Sequence, residues 1–295
     1  MDKRLKMHPL GYWEVSDRPS ELELQEYYAK KYYQEGRGSY EISYSDEEVK
    51  YFEAKLEQRW HGLLRVLNKS DSSIPNKILD VGCGEGYALN FFRQKGWQIR
   101  GIDFSFAGVE SKNPSCLEHL LTGDIFHLLE QEINSGNQYD VVWLQNVLEH
   151  VLDPINLLIS IRKLLSNQGV AVVTVPNDCS VLQRAAMDSG HIDSAFWVLP
   201  PDHLSYFDLD GLRAIAKFTG WRVALTLGDF PIDWFLFHTD SNYVRNKATG
   251  KSAHLARVQI ENLIHSQPIT DCVDFWEAAS RVGIGRNITA YLTKD

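Results

Sequence analysis

The sequence predicts an α/β fold: a doubly wound, Rossmann-like sheet, mostly parallel with an antiparallel last strand, carrying an N-terminal helical cap and a late insertion. Three observations predict it. From Lys77 onward, short apolar runs of strand length alternate with segments of helical period. The connections are short, which implies right-handed crossovers and a sheet covered by helices on both faces. The first run, "KILDV", ends in the glycine-rich "GCGEG" just before a helix, where such folds present bare backbone to a ligand.

Residues 1–70 read as the cap, with helices over Glu21–Lys31 and Asp46–Leu67 broken by Gly36 and Gly38. Its Tyr27, Tyr28, Tyr32 and Tyr33 either close over a ligand or pack the cap on the core. Residues 71–295 read as the core. "KILDVG", "QIRGIDF", "HLLTGDI", "YDVVWLQ" and "VAVVTVP" are its strands, and "YALNFFRQKG", "AGVESKN" and "DPINLLISIRKLLSNQG" lie between them as helices. Leu209–Thr219 is a further helix ended by Gly220, "WRVALTLGD" a further strand, and Arg286–Lys294 the last strand. The stretch of about 230–285 is too long for a hairpin and reads as an inserted lid with a helix in "TGKSAHLARVQIENLIHS".

At 295 residues, 44% hydrophobic and 23% charged, the chain is long enough to bury a sizeable core. A net charge of -9 argues against nucleic acid as the main partner, because that affinity rests on clustered Lys and Arg. Cys83, Cys116, Cys179 and Cys272 form no CxxC pair, so neither a zinc knuckle nor a disulfide framework is expected, and a reducing cytoplasm is the expected home. No apolar run of membrane-spanning or signal-peptide length occurs.

The glycine spacing discriminates between ligands. A dinucleotide site wants GxGxxG, whose third glycine allows close helix packing, yet Tyr87 stands where that glycine would fall. Asp103 ends the second strand and suits the two hydroxyls of a ribose. Asp124, after the third strand, can accept from an adenine amine, with Phe104 and Ile125 offering apolar faces. Each acid taken alone also reads as a helix cap; the ordered set reads as a site.

The ensemble "LDVGCGEG", "GIDFS", "GDI", "YDVVWLQNVLEHVLDP" and "LLSNQGVAVVTVPN" resembles the class I S-adenosylmethionine-dependent methyltransferases, from about Ile78 to Pro176 and more loosely to the C-terminus. The resemblance implies that Asp80, Gly82, Cys83, Gly84 and Gly86 line the methionyl part of the cofactor. It implies Asp103 for the ribose, Asp124 and Ile125 for the adenine, and Gln145 with Asn146 beside the sulfonium. "EHV" resembles the segment of quinone-biosynthesis and sugar O-methyltransferases whose histidine lies at the catalytic centre, which makes His150 the expected general base. Some quinone-directed relatives bind a divalent ion through a second carboxylate four residues before the Glu; Gln145 stands there, so no metal is expected.

His203 is a second candidate base or substrate donor, and Tyr206 a substrate contact. "LQNVLEH" replaces the motifs of DNA methyltransferases, so the expected acceptor is a small molecule. The loose resemblance of "GYWEV" and "YYAKKYYQ" to methyltransferases of polysaccharide clusters favours a hydroxyl of a sugar or related metabolite. The alternatives are N-methylation of a small-molecule amine, a non-catalytic cofactor-binding regulator, and a nicotinamide dehydrogenase, which the glycine spacing disfavours.

Overall fold

The computed structural model describes residues 2–29, 43–68 and 77–294. Its strands are β1 (Leu5–Met7), β2 (Trp13–Val15), β3 (Lys77–Val81), β4 (Gln98–Asp103), β5 (Leu120–Thr122), β6 (Tyr139–Gln145), β7 (Leu165–Pro176), β8 (Ser205–Tyr206), β9 (Trp221–Leu227) and β10 (Asn287–Lys294). Its helices are α1 (Glu21–Ala29), α2 (Asp46–Leu67), α3 (Tyr87–Gln94), α4 (Ala107–Lys112), α5 (Ile125–Asn134), α6 (Pro154–Leu164), α7 (Val181–Asp188), α8 (Leu209–Phe218), α9 (Gly250–His265) and α10 (Ile269–Arg281).

Seven strands form one sheet in the order β5-β4-β3-β6-β7-β10-β9. The pairs from β5 to β7 are parallel, while β10 runs antiparallel between β7 and β9. Alternation along each strand divides the core. Leu79, Val81, Ile102, Val142 and Leu144 face α5, α6 and α8 through Leu129, Leu157, Ile161, Leu212 and Ile215. Ile78, Ile99, Val141, Trp143 and Val172 face the other way, against Leu56, Trp60 and Leu63 of α2, Phe92 of α3 and Trp276 of α10. Strand order reverses at β3, so the crevice above its carboxyl end is the switch point where such folds bind ligands.

The expected cap contains strands as well as helices. β1 and β2 form a hairpin, and β2 pairs with the distant β8 to complete a three-stranded sheet. Of the cap residues singled out above, Lys31, Tyr32, Tyr33, Gly36, Gly38 and the side chain of Tyr28 lie outside the described residues. α2 begins with a capping box in which Ser45 and Glu48 exchange backbone bonds, and it then lies across the sheet. Burial of Leu56 and Leu63 stabilises this contact by about 1.5–3 kcal/mol each. The approach is close because residue 62 is glycine: a Cβ there would stand 2.3 Å from the Tyr291 hydroxyl oxygen.

Within the expected lid, α9 packs against α2, and α10 against β9 and α2. A buried charge cluster fastens it: the Lys55 ammonium of α2 lies 3.3 Å from Asp229 and 3.2 Å from Glu261 of α9. Among the described residues no helix is long and apolar enough to cross a membrane.

Candidate functional site

A cavity of about 1070 Å³ opens at the switch point, lined by the glycine loop, the ends of β4 and β6, the inner face of α2, and Arg257 and Arg286. That lies at the upper end of the roughly 300–1,000 Å³ of a ligand pocket.

The loop after β3 turns with Gly82, Gly84 and Gly86 at φ of +72°, +55° and +77°. Its shape is held by the amides of Gly82 and Cys83, which donate to the Ile102 carbonyl at 2.7 and 3.2 Å. At Gly82 a side chain is excluded twice over, by the positive φ and because a Cβ would meet a Val147 methyl at 2.3 Å. Asp103 accepts from the Gly84 amide at 2.8 Å and the Ser105 amide at 3.1 Å, which ties the end of β4 to the loop. Asp80 is 2% exposed, and among the described residues no cation pairs with it. Burial, with Asp103 near, pushes its carboxyl up to about 8.

Phe104, Asp124, Ile125, Gln145 and Asn146 also line the cavity. Asp124 caps α5 by accepting from the His127 amide at 2.8 Å, so the capping role is real at that position; its exposed carboxylate borders the cavity as well. Gln145 accepts from the Arg59 guanidinium at 2.6 Å, and Asn146 turns the chain at a φ of +53°.

The two candidate bases meet in the same cavity, their rings 4.8 Å apart and nearly perpendicular. His150 Nδ1 is 2.6 Å from the carbonyl oxygen of Asp202. A carbonyl only accepts, so Nδ1 carries the hydrogen and the basic lone pair stands on Nε2. Glu149 is buried with neither carboxylate oxygen hydrogen-bonded among the described residues, and burial pushes it up to about 8. Burial alone would depress His203; the carboxylates of Asp178, Glu149 and Asp202 outweigh it, and its pKa is raised. Glu149, His150 and His203 bring ligand atoms within 4.8 Å of one another, a spacing able to hold a metal ion. His203 thus supplies a donor that the sequence motif did not place there.

Tyr206, expected against the acceptor, is fully buried and does not border the cavity. Its hydroxyl donates to the His203 carbonyl at 2.8 Å and accepts from the Leu199 amide at 3.1 Å, so it shapes the loop that carries His203. Sequence reasoning missed Arg59, Arg257 and Arg286. The signal for the first was a row on α2, Tyr51, Lys55 and Arg59 at helical spacing, which places polar groups on the same helix that buries Leu56 and Trp60.

A family model described as a methyltransferase domain matches residues 50–226. The ubiquinone biosynthesis O-methyltransferase of Yersinia enterocolitica is 31% identical over 109 residues, 35% of this chain and 44% of that protein. Its counterpart from Vibrio parahaemolyticus is 34% identical over 110 residues, 35% of this chain and 45% of that one. The chain therefore spans less than half the length of these curated relatives. Among solved structures, a SAM dependent methyltransferase from Archaeoglobus fulgidus has a TM-score of 0.49 at 18% identity, covering 81% of this chain and 94% of that one.

Proposed function

The chain belongs to the methyltransferase-domain family, and from that premise we propose that it methylates a hydroxyl of a small molecule, a sugar or related metabolite, with His150 as general base. The observation that carries this reading is the fixed tautomer of His150 in the same cavity as the glycine loop. Bound S-adenosylmethionine supplies an electrophilic methyl group on a sulfonium. The chain's own residues align and protect. Asp80 with the backbone of Gly82, Cys83, Gly84 and Gly86 receives the methionyl end, Asp103 the ribose, Phe104, Asp124 and Ile125 the adenine, and Gln145 with Asn146 the neighbourhood of the sulfur. The glycine loop fits such a group because Gly82, Cys83 and Gly84 border the cavity with backbone and no large side chain.

An alcohol is a weak nucleophile until its proton leaves, and His150 Nε2 takes that proton as the oxygen attacks. The carboxylates around His203 favour its protonated form, and it acts as a hydrogen-bond donor to the acceptor. Glu149, His150 and His203 are the residues that would hold a metal ion; because Gln145 stands where metal-binding relatives carry a second carboxylate, we read the transfer as metal-independent.

The test is incubation with isotopically labelled S-adenosylmethionine and metabolite or glycan extract of the source organism, in EDTA, followed by mass spectrometry. A labelled O-methyl product is expected. A label found only on nitrogen, or a reaction that EDTA stops, would sink the corresponding part of the proposal.

Asp80 makes a separate prediction. Its raised pKa means that it is mainly protonated in the free protein at neutral pH, whereas a ligand ammonium favours the ionised form. Binding of S-adenosylhomocysteine is therefore expected to release a proton and to tighten as pH rises from about 6 to 8. Calorimetry in buffers of different ionisation enthalpy reads that proton; pH-independent binding without release would contradict it.

A further inference from the structure

We propose that the acceptor carries a carboxylate or phosphate group and that Arg257 on α9 binds it; this deepens the methyl-transfer reading above and rests on it. Among the described residues, four lysine and arginine side chains border the cavity: Lys55, Arg59, Arg257 and Arg286. Two are neutralised from within the protein. Lys55 lies between Asp229 and Glu261, and Arg286 sits 3.0 Å from Asp178. Among the described residues Arg59 bonds the neutral amide of Gln145, and that places it beside the expected methionyl end, where the cofactor brings its own carboxylate. Arg257 is left over.

Its guanidinium is held in place without a carboxylate in direct contact among the described residues, although its charge reaches Asp229 and favours that group's ionised form. Nη2 lies 2.9 Å from His254 Nδ1, and the guanidinium carbon stands 5.5 Å from the centre of the Tyr51 ring. Because arginine only donates, His254 Nδ1 accepts, so its Nε2 carries the hydrogen and donates to Glu48 at 3.0 Å. Glu48 is already the capping partner of Ser45, so the first turn of α2 orients Arg257 through one imidazole. Arg257 Nε is buried and has no acceptor, and no carboxylate among the described residues pairs with the group. Buried donors without partners are rare in native proteins, and a fixed guanidinium fork matches the paired oxygens of a carboxylate or phosphate. An anionic acceptor supplies what the site lacks.

The protein saturated with S-adenosylhomocysteine would be titrated calorimetrically with glucuronate, glucose 6-phosphate and glucose. One or both anionic probes are expected to bind about tenfold or more tightly than glucose, and the stronger one identifies carboxylate or phosphate as the preferred group. In R257Q that preference is expected to vanish with affinity for S-adenosylhomocysteine unchanged, and R257K, which keeps the charge and loses the fork, should recover part of it. Equal binding of all three probes by the wild type, or an undiminished preference in R257Q, overturns the inference alone. A wild-type protein that fails to bind S-adenosylhomocysteine overturns the underlying reading with it.

Discussion

Replacing His150 by alanine is expected to lower kcat by about 10²–10⁴-fold, the range of a lost general base, with affinity for S-adenosylhomocysteine nearly unchanged. The separation follows from position. His150 is held by Asp202 and packs on His203, whereas the glycine loop is held by Ile102 and Asp103, so the two sets share no hydrogen-bond partner among the described residues. The acid limb of the kcat/KM profile should flatten in H150A, and added imidazole should restore part of the rate. A variant that keeps full activity would remove His150 from the mechanism and favour an amine acceptor, which needs no base if it arrives neutral.

Lys55→Met is expected to destabilise the fold by about 3–5 kcal/mol, because it strips the cation from a buried cluster and leaves two acids facing each other. Burial alone would depress the Lys55 ammonium; Asp229 and Glu261 outweigh it, and its pKa is raised. For Asp229 burial opposes ionisation, and Lys55 with Asn287 wins, leaving its pKa lowered. The signs set the window. The Asp229 contribution is present above the ordinary carboxylate pKa and fades as pH falls through its lowered value. The Lys55 contribution is present below the ordinary lysine pKa and fades as pH rises through its raised one. Without the lysine, both acids are expected to hold protons more readily, so K55M should be more stable near pH 5 than near pH 8. Urea denaturation at both values measures this, with K55M/E261Q regaining part of the loss. A loss below about 1 kcal/mol would mean that the cluster contributes specificity rather than stability.

The sheet was legible because its signals are local. Short apolar runs of strand length, the "GCGEG" turn and Gly220 after α8 each decide their own neighbourhood. The hairpin β1–β2 was not, since its partner β8 lies some 190 residues away and three-residue strands carry little pattern. In the site, glycines and acids that follow strands could be placed from spacing alone. Arg257 could not: its role depends on α9 lying against α2, and nothing in "HLARVQ" points to Tyr51 or Glu48. Tyr206 shows the converse, a residue whose sequence position suggested contact with a ligand and whose hydroxyl is committed to backbone on both sides.

The place of β10 in the sheet bears on the order in which the molecule can be assembled. β7 and β9 never touch as a pair; each has its hydrogen-bonding edge filled by a strand made about sixty or more residues later. A chain stopped before Asn287 would present two open edges, an invitation to pair with other chains. It would lose Asn287 from the cavity wall and keep Arg286 without the strand that follows it. An interruption of the chain before Asn287 thus removes the strand that joins β7 to β9, however intact the glycine loop remains.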